Sequence, residues 1–141
     1  MILVSACLLG ENCKYNGGNN KNEKVIDYLK DKSYIAVCPE LLGGLPCPRT
    51  PSEIKDGRVY FKDGTEVTKE FKAGAEKVVE LIKEYDIEEA ILKDGSPSCG
   101  SKLIYDGTFN SNKIKGMGIT AKALKNFKIL ITTEDDFENE L

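Results

Sequence analysis

The chain has 141 residues, the length of one compact domain, and its 40% hydrophobic and 30% charged residues are those of an ordinary globular protein. Its net charge of −3 argues against general nucleic-acid binding, which uses a basic surface. No apolar run approaches the roughly 20 residues of a membrane span, and "MILVSACLLG" lacks the basic start of a signal peptide. We therefore expect a single domain over residues 1–141, cytoplasmic and without membrane contact.

Short apolar runs alternate with amphipathic segments along the chain. A strand is predicted in "MILVSA", then a helix in "NEKVIDYLKD" with Asn20 or Asn22 as N-cap, and a second strand in "SYIAV". "RVYFKDGTEV" predicts a hairpin around Asp63-Gly64. A long helix follows in "TKEFKAGAEKVVELIKEYD", with Thr68 as cap, and then a third strand in "EEAILK". The last elements are a short helix in "TAKALKNF", a strand in "KILIT" and the acidic end "EDDFENEL", interpreted as solvated with at most a helical turn.

This alternation predicts an α/β fold, a mostly parallel sheet flanked by helices with a small β-hairpin insertion. Ligands of such sheets bind beyond the carboxyl ends of the strands. Cys7, Cys38 and Cys99 each fall at, or a few residues after, the end of a predicted strand. We expect the fold to bring these three cysteines to one edge of the sheet.

The chemistry of the cysteines is restricted because the chain has five cysteines and no histidine. Cys–His catalysis and Cys/His zinc sites are thereby excluded. A phosphatase-type nucleophile needs an arginine six residues after its cysteine, and none of the five cysteines has one. A structural zinc site normally shows a C-x-x-C pair, and the sequence contains none. Cys13 and Cys47 are interpreted as buried small hydrophobic residues. Three thiolates from separate loops suit a [4Fe–4S] cluster with one open iron, but spacing alone leaves the other interpretations open.

Six motifs resemble those of the thiouracil desulfidase (TudS) family: "SACLLG", "YNGG", "VCPELLGGLPCPR", "KDGSPSCG", "YDGTF" and "GITA". They run from Ser5 to about Ala121 in the order and spacing of the family. The resemblance implies an enzyme that removes sulfur from thiolated uracil compounds without net redox change. It also implies an oxygen-sensitive [4Fe–4S] cluster on three cysteines. Cys13 and Cys47 stand where the family often has apolar or small residues, and the resemblance makes neither a ligand.

The resemblance also implies roles for individual residues. Carried over motif by motif, it makes Cys7, Cys38 and Cys99 the cluster ligands. Glu40 of "CPE" becomes the catalytic glutamate, a base for the attacking water, and Ser96 of "SPSCG" the catalytic serine.

Four further residues are expected at the substrate. Arg49 of "LPCPR" is predicted to neutralise a cluster or carboxylate charge or to bind a substrate phosphate, with a surface ion pair as the alternative. Ser98 competes with Ser96 for the serine role, and Lys93 and Tyr15 lie in the same predicted loops.

Two other functional classes stay open at this point. A non-catalytic metal-binding or sulfur-carrier module would use the same thiols and dispense with Glu40. A thiol-based redox enzyme would depend on Cys99 and not on iron. Some relatives in the family append a second domain and act on thiouridine in transfer RNA. Because this sequence shows no such extension, we expect a small thiolated pyrimidine, either thiouracil or a thiouridine nucleotide, rather than transfer RNA.

Overall fold

A parallel sheet organises the chain, which the computed structural model describes over residues 1–138. The strands are β1 (Ile2–Ser5), β2 (Tyr34–Val37), β3 (Ser52–Lys55), β4 (Arg58–Phe61), β5 (Glu89–Leu92), β6 (Leu103–Tyr105), β7 (Lys113–Lys115) and β8 (Leu130–Thr133). The α-helices are α1 (Glu23–Leu29), α2 (Pro39–Leu42), α3 (Thr68–Glu84), α4 (Ile119–Leu124) and α5 (Asp135–Glu138), and a 3-10 helix spans Ala6–Leu9.

The main sheet has four strands in the order β2-β1-β5-β8, all parallel. Leu3 of β1 lies between Ile35 of β2 and Ala90 of β5. Its side chain packs with residues of α3 and α4, whereas its neighbour Val4 packs on the opposite face with residues of α1 and α5. The central strand β1 is therefore buried on both faces, as apolar strands of a parallel sheet are, whereas the edge strands β2 and β8 each begin with an exposed residue. The predicted α/β class is confirmed.

The structure also contains two antiparallel hairpins, β3–β4 and β6–β7. The sequence predicts one hairpin, but at a different turn from the one that joins β3 to β4. β3 pairs with β4 around Asp56–Gly57, where both residues have positive φ. The predicted turn at Asp63–Gly64 is present but joins β4 only to an isolated bridge at Glu66. Residues 51–67 contain two Asp-Gly pairs, and either one satisfies the same local turn preference. The second hairpin, β6–β7, was not predicted.

Helix starts follow the predicted caps in one of two cases. Asn22 caps α1 by accepting a hydrogen bond from the Val25 N–H at 3.1 Å. Thr68 does not cap α3; Val67 occupies the N-cap, and the Thr68 hydroxyl accepts from the Val59 N–H of β4 at 2.8 Å. Its side chain thus fastens the hairpin to the helix.

The acidic end forms α5, the predicted helical turn, and the remaining residues of that segment, 139–141, lie outside the described residues. Over residues 1–138, none of the helices is long and apolar enough to cross a membrane.

Candidate active site

A cavity of about 440 Å³ lies beyond the carboxyl ends of β1, β2 and β5. Cys7, Cys38 and Cys99 all line it, each from the segment that directly follows one of these neighbouring strands. The three cysteines therefore lie at one edge of the sheet, as the sequence predicts. All five cysteines of the chain are free thiols.

The 3-10 helix that follows β1 presents Cys7. Gly10 ends this helix with φ 95°, a conformation that favours glycine, and lets the chain turn back. Asn20 then returns to Cys7: its N–H donates to the Cys7 carbonyl at 2.9 Å and its side-chain amide to the Cys7 sulfur at 3.3 Å. Burial raises the pKa of the Cys7 thiol, against the opposing effect of the Asn20 hydrogen bond.

Cys38 occupies the N-cap of α2, directly after β2. Its thiol donates a hydrogen bond to the Cys13 carbonyl at 3.8 Å. Interaction with the Cys13 thiol, together with the Leu41 backbone N–H, lowers the pKa of Cys38 to about 7. The same interaction raises the pKa of Cys13. Cys13 is buried, as expected, but it also lines the cavity beside Cys38. Cys47 is exposed, so its predicted role as a buried hydrophobic residue is wrong; its sulfur lies 3.2 Å from the Asn12 carbonyl.

Close contact between α2 and α3 fixes the position of Cys38 and Glu40. The two helices meet at glycines: a Cβ on Gly43 would lie 1.9 Å from the Glu70 carbonyl oxygen, and one on Gly74 would lie 1.9 Å from that of Pro39. Only hydrogen atoms at these positions permit so close an approach.

A tight loop after β5 presents Cys99. The Ser96 hydroxyl accepts hydrogen bonds from the N–H groups of Ser98 and Cys99, both at 3.1 Å. The Ser98 carbonyl accepts from two N–H groups at the start of α4, Thr120 at 2.9 Å and Ala121 at 3.1 Å. Burial raises the pKa of Cys99 to about 12. The loop is thus held from inside and by a helix, which leaves the Cys99 sulfur little freedom to move.

A buried polar chain lies beside the thiols. Glu40 accepts from Arg49 Nε at 3.1 Å and from the Ser98 hydroxyl at 2.9 Å, and Ser98 in turn lies 2.9 Å from the Ser96 hydroxyl. The Arg49 side chain is only 3% exposed. Its guanidinium also donates to the Cys13 carbonyl at 3.0 Å. Arg49 therefore neutralises the Glu40 carboxylate in a buried ion pair, and it does not form the surface ion pair that was the alternative.

Lys93 forms the second ion pair of the site, with Glu134 at 2.8 Å. Burial alone would lower the pKa of Lys93. The hydrogen bond to Glu134 and the negative charge of Glu134 outweigh this effect, so the pKa of Lys93 is raised. Glu134 also accepts from the Asp94 N–H at 2.8 Å, and Asp94 accepts from the N–H groups of Lys102 and Leu103. Lys93 is therefore positioned by residues that connect β5, β6 and β8.

The outer rim of the cavity comes from the two hairpins and the loop after Cys13. Tyr15, one of the predicted substrate-binding residues, lies there and is exposed. The rim also contains an aromatic residue in an unusual conformation, Phe109, at φ 58°. Glu53 of β3 holds that segment by accepting from the N–H groups of Gly107 at 3.0 Å and Phe109 at 3.2 Å.

Comparison with known proteins identifies the family. Residues 2–136 match the family model described as 2-thiouracil desulfurase. The chain belongs to this family. It is 40% identical over 151 residues to YbbK of Bacillus subtilis, described as an uncharacterized protein, with 100% of both chains covered. It is also similar to the solved structure of a [4Fe-4S]-dependent thiouracil desulfidase, TudS, with a TM-score of 0.91 and 40% identity over 97% of this chain and 92% of that chain.

The resemblance drawn from the motifs is confirmed by these matches. Membership of the 2-thiouracil desulfurase family makes the chain an enzyme that cleaves a carbon–sulfur bond. This favours the enzyme over the carrier module that the cysteine pattern alone left open.

The chemistry of the thiols in this desulfurase-family cavity fits an iron–sulfur cluster. Within residues 1–138, no three Cys, Asp or Glu side chains are grouped so as to hold one metal ion. Cys7, Cys38 and Cys99 line the cavity from three different segments, and sulfur is the donor that iron–sulfur clusters take. The donor set therefore fits.

Three acidic residues of the site were not predicted from the sequence: Glu53, Asp94 and Glu134. Each is buried, and each accepts hydrogen bonds from backbone N–H groups distant in the chain. Asp94 lies in the family motif "KDGSPSCG", but the motif alone does not indicate its hydrogen bonds. Glu53 and Glu134 lie in no motif, and only the folded contacts single them out.

Proposed function

We propose that the chain converts a small thiolated uracil compound to its uracil form and releases hydrosulfide, using a [4Fe–4S] cluster held by Cys7, Cys38 and Cys99. The observation that carries the proposal is the shared cavity, in which three free thiols from neighbouring strand ends lie beside a buried carboxylate. The family and the similarity to a [4Fe-4S]-dependent thiouracil desulfidase support it.

The reaction needs water but no electron donor or acceptor. A thiocarbonyl and water give a carbonyl and hydrogen sulfide: the carbon–sulfur bond breaks, a carbon–oxygen bond forms, and both protons of water leave with the sulfur or the solvent. When bound, a cluster with one iron free of protein thiolate supplies a Lewis acid for a substrate sulfur. The protein must then provide a base for the attacking water and hold the pyrimidine ring.

Glu40 is the base in this proposal. Its carboxylate lines the cavity two residues from Cys38 and is 9% exposed. Arg49 and Ser98 each hold one of its oxygens, so its orientation toward the cavity is fixed. Glu40 takes one proton from water as the oxygen bonds to the ring carbon, and Ser96 is the donor to the ring.

The rim favours a substrate that carries negative charge outside the ring. Three lysines line the cavity without an ion pair to any described residue, and all three lie on its outer segments: Lys14, Lys62 and Lys113. Arg49 is not available for a phosphate because it is paired with Glu40. A thiouridine nucleotide is therefore the second candidate substrate beside free thiouracil.

The test is an anaerobic assay of protein reconstituted with iron and sulfide. 2-Thiouracil, 4-thiouracil and the corresponding thiouridine monophosphates are supplied separately, and uracil product and sulfide are measured together. We expect equal amounts of both, and none with cluster-free protein. A holoprotein that converts none of these compounds would return the carrier interpretation to first place. Turnover that persists after iron chelation would instead indicate thiol chemistry.

A further inference from the structure

Lys93 brings an ammonium group with an unused proton to the wall of the cavity that also carries Cys99. It directly follows β5, and its backbone N–H donates to the Ser5 hydroxyl at 3.0 Å. Its Nζ donates to the Asp94 carbonyl at 2.7 Å and pairs with Glu134 at 2.8 Å. An ammonium group has three protons. Among the residues that the structure describes, none accepts the third proton.

Glu134 holds this ammonium group from behind. It follows β8, is buried, and is not among the described residues that line the cavity. One of its carboxylate oxygens accepts from the Asp94 N–H at 2.8 Å, and the other pairs with Lys93. Both oxygens are therefore occupied, so Glu134 acts on the cavity only through the position of the Lys93 ammonium group.

A thiouracil offers a group that needs such a donor. Uracil with sulfur at C2 keeps a carbonyl at C4, and uracil with sulfur at C4 keeps a carbonyl at C2. Both positions flank N3, so either isomer presents the same edge of the ring, with one thiocarbonyl and one carbonyl. A carbonyl oxygen only accepts hydrogen bonds. The buried cation Arg49 is not its partner, because it already donates to Glu40 and to the carbonyls of Pro46 and Cys13.

We infer that Lys93 donates its third proton to the carbonyl that a thiouracil ring retains, and that Glu134 is a positioning residue that holds the ammonium group for this contact. The inference rests on the proposed function, since it names the substrate group that this wall of the same site recognises. Lys93 thereby becomes a determinant of specificity. It favours a thiouracil over a thiopyrimidine that lacks the second carbonyl, and one donor serves both isomers.

The first test compares two substrates on reconstituted enzyme, 4-thiouracil and pyrimidine-4-thione, which lacks the C2 carbonyl. The measured quantity is the ratio of their kcat/KM values, because comparing this ratio between variants cancels the different reactivity of the two rings. In Lys93→Met the preference for 4-thiouracil should fall about 10- to 100-fold, the contribution of a hydrogen bond from a charged donor. 2-Thiouracil and pyrimidine-2-thione should show the same fall.

Two further variants separate the positioning role from a general effect of charge. Glu134→Gln removes the counter-charge but keeps Lys93, and it should lower the preference in the same direction and to a smaller extent. Lys102→Met is the matched control. It removes a lysine that is paired with Asp136 at the surface and does not line the cavity, so it should keep the parent ratio. A parent ratio in Glu134→Gln would overturn the positioning role.

A second measurement needs no turnover. Uracil and pyrimidin-4-one differ by the same carbonyl, and their binding to the reconstituted protein is measured by calorimetry. Lys93→Met should weaken the binding of uracil and leave the binding of pyrimidin-4-one within about threefold, because only uracil loses a hydrogen bond. Equal weakening of both compounds would overturn the inference.

The outcomes separate this inference from the proposed function. Failure of the parent holoenzyme on every thiopyrimidine would defeat the proposed function, whereas the binding of uracil still tests the contact. A parent ratio in Lys93→Met, or an equal loss of kcat/KM on both substrates, would overturn the inference. If Lys93→Met does not retain iron because Glu134 is left buried and unpaired, Lys93→Met/Glu134→Gln removes both charges and is measured in its place. A parent ratio in that double variant would likewise overturn the inference.

Discussion

Replacement of Glu40 by glutamine has two separable consequences, one on turnover and one on stability. The carboxylate lies 3.1 Å from Arg49 Nε, and the Arg49 side chain is 3% exposed. At that distance two unit charges attract by about 5 kcal/mol at an effective dielectric constant of about 20. Glutamine keeps the shape and one hydrogen bond but leaves the guanidinium buried without a counter-charge. Breaking a buried pair in this way costs roughly 3–5 kcal/mol, and we expect a loss of free energy of unfolding near the lower figure.

The effect on turnover is expected to be larger than this instability explains. Removal of a general base lowers rates by about 10²–10⁴-fold, measured as thiopyrimidine turnover per bound cluster so that iron loss is normalised. The double variant Glu40→Gln/Arg49→Met separates the two effects, because it removes the unpaired charge as well. Urea unfolding should show most of the stability restored while turnover stays low. Turnover that returns together with stability would show that Glu40 serves only as the counter-ion of Arg49.

Three further predictions concern the thiols, the packing and the metal. Serine at any one of the three predicted ligands should reduce bound iron and sulfide to near zero, whereas Cys47→Ser, at an exposed thiol, and Cys13→Ser should retain both; equal iron in all variants would refute the ligand assignment. Gly74→Ala should destabilise the protein by about 1–3 kcal/mol in urea unfolding, because the new methyl meets the Pro39 carbonyl oxygen at 1.9 Å, and parent-like stability would contradict the close packing of α2 on α3. An iron chelator under anaerobic conditions should abolish both the visible absorbance of the cluster and turnover, and turnover that survives it would exclude cluster chemistry.

The sheet was predictable because its strands are short apolar runs, of which the two central ones, β1 and β5, are largely buried. "MILVSA", "SYIAV" and "EEAILK" contain β1, β2 and β5, and "KILIT" overlaps β8, which ends one residue later at Thr133. The hairpins were less predictable because their strands are short and their turns depend on small local preferences. Asp56–Gly57 and Asp63–Gly64 carry the same turn signal, and only the pairing of β3 with β4 distinguishes them. β7 is exposed along its whole length, so it has no apolar pattern to detect.

The position of the three thiols was predictable for a topological reason, since the carboxyl ends of parallel strands meet at one edge. The contacts between the polar side chains of the site could not be predicted from the sequence. Whether Arg49 would bind a phosphate or a carboxylate depends on which side chain lies opposite, and Glu40 is nine residues away in sequence and opposite it only in the fold. Ser96 and Ser98 are two residues apart with the same chemistry, so only the hydrogen bonds show which of them contacts Glu40.

The order of the strands gives the site its asymmetry. Cys38 follows β2, Cys7 follows β1 and the loop of Cys99 follows β5, whereas Glu134 follows β8. The fourth strand end therefore brings a carboxylate rather than a thiol, and that carboxylate is bound to Lys93 at 2.8 Å. On the proposed function, three thiolates would hold a four-iron cluster, and the fourth strand would add no fourth thiolate because the residue after it is an acid that is already paired with Lys93. The iron without a protein thiolate would then be the one left for the substrate.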